Sequence, residues 1–370
     1  MKIIVAPDSF KNSMSAQTAA ETIIKGIRAE NKTIECVTLP MADGGEGTMS
    51  VIMAHLGGEI HTVKVADPLG REITAEFGLT ANHQIAVMDM ASASGIELLK
   101  PSELNVFEAS TFGTGQLIQA CLAYHPSKIY IGIGGSATVD GGVGMAQALG
   151  FQFLDAKGAT IKPGNRGLAA VEKILQPDFS FPEITVLNDV NNPLLGQKGA
   201  ANIFGPQKGA GPADINILEH NLSRLASVVV RARGQNFAND WGTGGAGGLS
   251  FGLKAFLNAS LVSGIEMLLE ITNFANLCRN ADFVITGEGS FDAQSLAGKV
   301  PFGIIQASEL ANPKCGVGIL AGKVAKNLPR LPDNVKWVKS INEWALPGQQ
   351  GTEYGVENGC RAGMWVATQF

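Results

Sequence analysis

The chain has 370 residues, of which 45% are hydrophobic and only 16% charged, and its net charge is −5. Length divided by ~150 suggests two domains, and the negative balance argues against a nucleic-acid binder, which needs a basic face to neutralise phosphates. A surface this thin in charge, against roughly 25% charged residues in an average soluble domain, leaves room for a subunit contact such as a homodimer.

Five cysteines, Cys36, Cys121, Cys278, Cys315 and Cys360, lie far apart and form no CxxC, and the five histidines are not at metal-ligand spacing with them. A zinc site or disulfide frame is therefore not expected, and a reduced cytoplasm is the natural compartment. The chain opens on "MKIIVAPDSF", which reads as a strand and a turn rather than a signal peptide, and no apolar run is long enough to span a membrane. Glycine is the outlier, with 46 residues clustered in turns after apolar runs.

"MKIIVA" reads as a buried parallel strand. "SAQTAAETIIKGIRAE" carries apolar residues at helical spacing with Ser15 as N-cap. "TIECVTL" is the next strand and "GTMSVIMAHL" the next helix, the start of an α/β domain with a parallel sheet. From Ile60 to about Leu98 the rhythm changes to alternating apolar and polar residues with turns at "DPLG" and "TANH", which predicts antiparallel strands in a separate layer. Helix and strand alternate again through "TGQLIQACLAYH", "KIYIGIG" and "VGMAQALG". "ITVLNDV" is a buried strand with an acid at its exit. Helices are expected over Pro212 to Arg233 and Leu261 to Cys278, then strands at "ADFVITG", "CGVGILAG" and "VKWVKSI".

The fold expected is α/β in two domains. A Rossmann-like three-layer domain with a mainly parallel sheet is built from residues 1–59 and 270–370, together with parts of 105–185. An inserted α/β domain with an antiparallel or mixed sheet comprises 60–104 and 186–269.

Ligands of open α/β sheets sit beyond the carboxyl ends of the strands, so the turns after each strand carry the chemistry. They are "PDSFK", "MADGGEGT", "GIGGSATVDGG", "NDVNNP", "TGEGSFDAQSLAGK" and "AGK". Glycine frees backbone N–H groups to form nests for phosphate oxygens, and "GIGGS" and "FGTG" suit that role. Lys11, Lys299 and Lys323 supply point charges for an anion. Asp43, Asp189 and Asp292 are placed to hold Mg²⁺ or take a proton from a hydroxyl. Anion cradles, lysines and surplus aspartates together fit phosphoryl transfer from a nucleotide. Two loops, "FGPQKGA" and "TGGAGGLSFGL", read either as surface linkers or as mobile lids.

G-x-x-x-x-G-K-[ST] is absent, which excludes a P-loop enzyme. Gly132, Gly134 and Ala137 fit G-x-G-x-x-A, with Asp155 where a ribose-binding acid would stand, but "SATVDGG" intervenes before the helix. An NAD-linked dehydrogenase of a small hydroxy-acid and a non-catalytic nucleotide or metabolite sensor therefore stay open beside a small-molecule kinase.

In this order the turns resemble the bacterial type I glycerate kinases. The matching stretches are "APDSFK", "MADGGEGT", "DPLGREI", "GIGGSATVDGG", "NDVNNPLLGQKGA", "IFGPQKGA", "GAGGLSFGL" and "TGEGSFDAQSLAGKVP", spread from Ala6 to Pro301. One departure is "FKNSMSA", where "FKGSLSA" is the family's pattern; Asn12 tolerates the left-handed backbone a glycine would adopt. The resemblance implies ATP-dependent phosphorylation of D-glycerate with Mg²⁺ in the cytoplasm, favouring 2-phosphoglycerate over 3-phosphoglycerate, and two α/β domains with the site in the cleft between them. With the turns, the site expected is catalytic Asp189 as base or hydroxyl acceptor with Asp43 as its partner, and Ser9, Lys11, Gly44, Gly45 and Glu46 at the substrate. Gly134, Gly135, Ser136, Thr286, Gly287, Glu288, Ser290 and Lys299 would bind the nucleotide phosphates, and Asp292 the metal. The partners expected are the small molecules D-glycerate and ATP, with no nucleic acid and no membrane.

Overall fold

The structure is a computed structural model that describes residues 1–296, 298–349 and 351–370. In chain order the elements are β1 (Lys2–Pro7), α1 (Ala16–Glu30), β2 (Glu35–Thr38), α2 (Thr48–Leu56), β3 (Glu59–Ala66), β4 (Glu72–Leu79), β5 (Ile85–Asp89) and α3 (Ala91–Ser94). Then follow α4 (Phe112–Leu122), β6 (Lys128–Gly132), α5 (Val143–Ala148), β7 (Gln152–Leu154), α6 (Gly164–Leu168), β8 (Lys173–Leu175), β9 (Glu183–Asn188), α7 (Ala200–Phe204), α8 (Pro212–Arg233) and α9 (Gly245–Leu257). The last are β10 (Ser260–Ser263), α10 (Gly264–Ile271), α11 (Phe274–Arg279), β11 (Phe283–Phe291), α12 (Val300–Ala311), β12 (Gly316–Val324), β13 (Val335–Ser340) and α13 (Gly355–Ala367). The chain divides into two compact units, residues Met1–Asp43 with Ser263–Phe370, and residues Gly44–Val262.

The first unit holds a five-stranded sheet in the order β13-β12-β11-β1-β2. Every pair in it is parallel. The apolar run Ile3, Ile4, Val5, Ala6 is fully buried, as a strand covered on both faces requires. Its amphipathic neighbour α1 starts at Ser15, whose hydroxyl accepts from Thr18 N–H at 3.1 Å, so the expected N-cap is in place. Ala19, Ala20, Ile23 and Ile27 of α1 bury one stripe of that helix, and Ala362 and Val366 of α13 join them in the same core. Asn12 takes φ 61°, the left-handed conformation expected of it.

The second unit holds a six-stranded mixed sheet, β10-β9-β6-β5-β4-β3, and a two-stranded antiparallel sheet of β7 and β8. β3, β4 and β5 pair antiparallel, as the alternation from Ile60 predicts. β5, β6 and β9 then run parallel. Segment 105–185, expected in part with the N-terminal strand, therefore lies in the second unit, and so do residues 44–59. Buried parallel strands look alike in sequence, and the pairing of β6 with β5 rather than β1 depends on residues far along the chain. The single helix expected over Leu261 to Cys278 is divided into β10, α10 and α11, with Asn273 at φ 50° between the two helices. Among the described residues no helix is long and apolar enough to cross a membrane.

Candidate active site

The carboxyl ends of β1, β2 and β11 lie side by side in the first sheet, with Pro7 opposite Gly287. This puts Asp8, just past β1, beside Glu288 of β11. Asp43 follows β2, and Lys299 is the N-cap of α12. Burial pushes the Asp8 carboxyl well above the usual range, and the nearby charges of Asp43 and Glu288 push the same way; the Ser9 N–H, 2.6 Å from its oxygen, and the Lys299 ammonium oppose them. Burial also raises Glu288, against the Ser295 hydroxyl and Lys299, with Asp43 adding to the rise. Three acids and one lysine thus act on one another at one sheet edge. Asp8, inside the turn "PDSFK", is not among the residues expected at the site; its position directly after a buried strand is the signal that could have found it.

Other expected residues of this unit have structural duties. Thr286 is fully buried and its hydroxyl donates to the Ala6 carbonyl at 2.9 Å, tying β11 to β1. The Gly287 carbonyl accepts from Asp8 N–H at 2.8 Å. β11 runs on to Phe291, so Ser290 lies within the strand, where a turn was expected, and is exposed. Asp292 is half-buried; its carboxylate accepts from Gln294 N–H at 2.8 Å and its own N–H donates to Ser295 Oγ at 3.0 Å, a local turn at the strand exit. Ser9 is half-buried and Lys11 exposed in the turn after β1. Ala297, inside the stretch "TGEGSFDAQSLAGK", lies outside the described residues.

The second unit assembles a separate group of turns. Gly44, at φ 102°, sits where a Cβ would lie 2.5 Å from the Leu187 carbonyl oxygen, and its own carbonyl accepts from Gly134 N–H at 3.0 Å. Only glycine allows this approach. The turns "DGGEG", "GIGGS" and "LND" therefore meet at the carboxyl ends of β6 and β9. Gly45 stands half-buried and Glu46 exposed in the first of these turns. Asn188 is the buried brace: its amide donates to the carbonyls of Val190 at 2.9 Å and Gly242 at 3.2 Å, which leaves the next residue, Asp189, on the exposed exit of β9.

Asp89, at the end of β5, accepts from the N–H groups of Gly47 at 2.9 Å and Met49 at 3.0 Å, so a buried carboxylate caps the start of α2. Burial pushes it up to about 7, against those two N–H groups. An acid whose folded pKa is raised stabilises most below its unfolded value, near 3.9, and that contribution is lost as pH rises through about 7. Asp89→Asn is therefore expected to flatten the fall in melting temperature between pH 5 and pH 8; the same slope in both proteins would disprove the shift.

The N-terminus of α4, "FGTG", is no free phosphate nest, because fully buried Asp140 already takes the Thr111 N–H at 2.8 Å and the Thr111 hydroxyl at 2.9 Å. The glycines of "TGGAGGLSFGL" form no lid: they open the buried helix α9, and a Cβ on Gly247 would sit 1.9 Å from the Thr138 carbonyl oxygen. "FGPQKGA" is anchored by Lys208, only 1% exposed, while Pro206, Gln207 and Gly209 of the same loop are exposed. The dinucleotide reading fails too. The Gly134 N–H is spent on Gly44, and Asp155 holds a hairpin turn through the N–H groups of Lys157 and Ala159.

A profile of the Glycerate kinase family matches residues 3–358. The chain is 45% identical over 323 residues to a glycerate kinase of Halalkalibacterium halodurans, covering 86% of this chain and 84% of that protein. It is 42% identical over 322 residues to the glycerate 2-kinase of Escherichia coli K12, covering 86% and 84%. A crystal structure of a protein described as glycerate kinase 2 of Salmonella typhimurium LT2 superposes with a TM-score of 0.85 at 36% identity, over 100% of this chain and 98% of that one. With the mixed α/β architecture and the acid-lined strand ends in place, the chain belongs to the glycerate kinase family.

Proposed function

We propose that the protein transfers the γ-phosphoryl group of ATP to a hydroxyl of D-glycerate, giving 2-phosphoglycerate in preference to 3-phosphoglycerate. The observation that carries the chemistry is the group formed by Asp8, Asp43, Glu288 and Lys299 at one sheet edge. Phosphoryl transfer needs charge neutralisation and positioning more than covalent help.

The donor set suits Mg²⁺. It is made of carboxylate oxygens, the ligands a hard cation takes, and one buried oxygen of Glu288, Oε1, has no hydrogen-bond partner among the described residues. Burial and mutual repulsion raise Asp8 and Glu288, a cost a cation would offset. Asp8, Asp43 and Glu288 would hold the ion, with Asp292 nearby. Among the described residues no group of three or more His, Cys, Asp or Glu side chains is placed to hold a metal ion by itself. When bound, Mg²⁺ neutralises charge on the phosphates.

Lys299 contributes a point charge to the same phosphates, and Gly135 and Ser136 offer backbone N–H groups to an anion, while Gly134 holds the loop through its bond to Gly44. Asp189, exposed at the exit of β9, accepts the proton of the attacking glycerate hydroxyl; that hydroxyl's oxygen forms the new P–O bond while the bond from the γ-phosphorus to the bridging oxygen breaks and ADP leaves. Ser9, Lys11, Gly45 and Glu46 are assigned to the glycerate carboxylate and hydroxyls. Incubation with ATP, Mg²⁺ and D-glycerate, read by phosphorus NMR, tests the reading. A phosphomonoester on carbon 2 is expected. A product on carbon 3 changes the position alone, and no phosphoglycerate at all overturns the function.

A further inference from the structure

Lys208 is a buried lysine. It is 1% exposed, and it reaches its place on a short 3-10 turn, Pro206–Lys208, ended by Gly209 at φ 94°. Its ammonium donates to Ser136 Oγ at 2.6 Å and to the Thr138 carbonyl at 2.7 Å. These acceptors belong to the loop "GIGGSATVDGG" after β6, about 70 residues earlier in the chain. No carboxylate touches the ammonium among the described residues. Asp140 acts on it only through its field.

The same loop shows two unused donors among the described residues. The loop is pinned by Gly134 N–H to the Gly44 carbonyl, Ala137 N–H to the Ser94 carbonyl and Ile96 N–H to the Gly135 carbonyl. The N–H groups of Gly135 and Ser136 take no hydrogen bond among the described residues. Gly135 is exposed at φ 73°. Successive N–H groups around a left-handed residue form a concavity that attracts anions. The ammonium behind this one is buried, so its charge is little screened.

We propose that Lys208 is a positioning residue that holds the Gly135–Ser136 cradle in shape and supplies the positive charge that makes it bind an anionic oxygen group of the substrates. This rests on the kinase reading above. The shared chemistry is a phosphate or carboxylate oxygen; the nucleotide and glycerate are its two sources.

Burial also lowers the Lys208 ammonium to about 7, against the pull of Asp140, the one ionisable side chain acting on it among the described residues. Anion binding at the cradle should then weaken as pH rises through about 7.

Lys208→Met removes charge and donors, whereas Lys208→Gln keeps a donor and removes the charge. Both variants are expected to raise the KM of one anionic substrate at least tenfold while kcat changes less than threefold. A rise in the ATP KM assigns the cradle to phosphate, and a rise in the glycerate KM assigns it to the carboxylate. Unchanged KM values for both overturn the proposal, as does a kcat loss without a KM change.

Sulfate binding, measured by calorimetry, separates this idea from the kinase reading, because sulfate is a divalent anion that does not titrate near pH 7. Wild-type protein should bind it more weakly at pH 8.5 than at pH 6, and Lys208→Gln should lose that dependence. If phosphoglycerate is not formed but this pattern appears, the kinase reading fails and the anion cradle stands. Should neither variant fold, the wild-type profile decides: no weakening between pH 6 and pH 8.5 overturns the proposal.

Discussion

Asp43→Asn is expected to lower kcat by about 10²-fold or more while leaving the melting temperature unchanged or slightly higher. The size follows from the effect of removing one charged group that acts on the transition state, which typically costs ~10²–10³ in rate. The unusual part is the stability. Asp43 raises both Asp8 and Glu288 through its charge, so the folded protein tolerates repulsion among acids whose neighbours are already buried. Asparagine keeps the shape and removes the repulsion. Function and stability should therefore move in opposite directions, a common signature of active sites. kcat and melting temperature measured on one preparation decide the matter. A near wild-type kcat would make Asp43 a turn residue and nothing more.

Asp189→Ala is expected to cut kcat by about 10²–10⁴-fold, the usual contribution of a general base, with the KM for ATP nearly unchanged. The local architecture supports separating this residue from the fold. Buried Asn188 holds the turn through two carbonyls, and its Oδ1 accepts from Val190 N–H at 3.2 Å. Asp189 itself stands exposed beside that brace. Asn188→Ala, by contrast, should lower the melting temperature, since it strands two buried partners. If Asp189→Ala loses stability and the surviving folded enzyme is fully active, the residue belongs to the turn and the base is elsewhere.

Much of this was legible from local pattern. Ser15 announced the start of α1, and the span Pro212–Arg233 is the helix α8 end for end, set between Gly211 and a left-handed Gly234. The acids after buried strands pointed to the sheet edges where they are found. What escaped was set by distance along the chain. β6 reads the same whether it lies beside β1 or β5. Lys208 reads as a polar residue in a glycine loop, and only acceptors some 70 residues away make its burial tolerable. The glycines of "TGGAGGLSFGL" suggested mobility because their sequence shows freedom and not the carbonyl of Thr138 pressing against them.

The placement of β1 next to β11 has a consequence during synthesis. Ile3 pairs with Phe283, and the only earlier partner of β1 is β2. The unit Gly44–Val262 is continuous and can close its own core while the rest is still being made. At ~5–20 residues per second, the N-terminal strand waits roughly ten seconds or more for β11. During that wait β1 shows one bare edge, the feature that invites unwanted strand pairing. Ribosome-bound chains stopped shortly before Phe283 has emerged should thus resist protease over residues 44–262 and be cut within residues 1–43. Protection of residues 1–43 at that stage would mean that the N-terminal segment finds another shelter first.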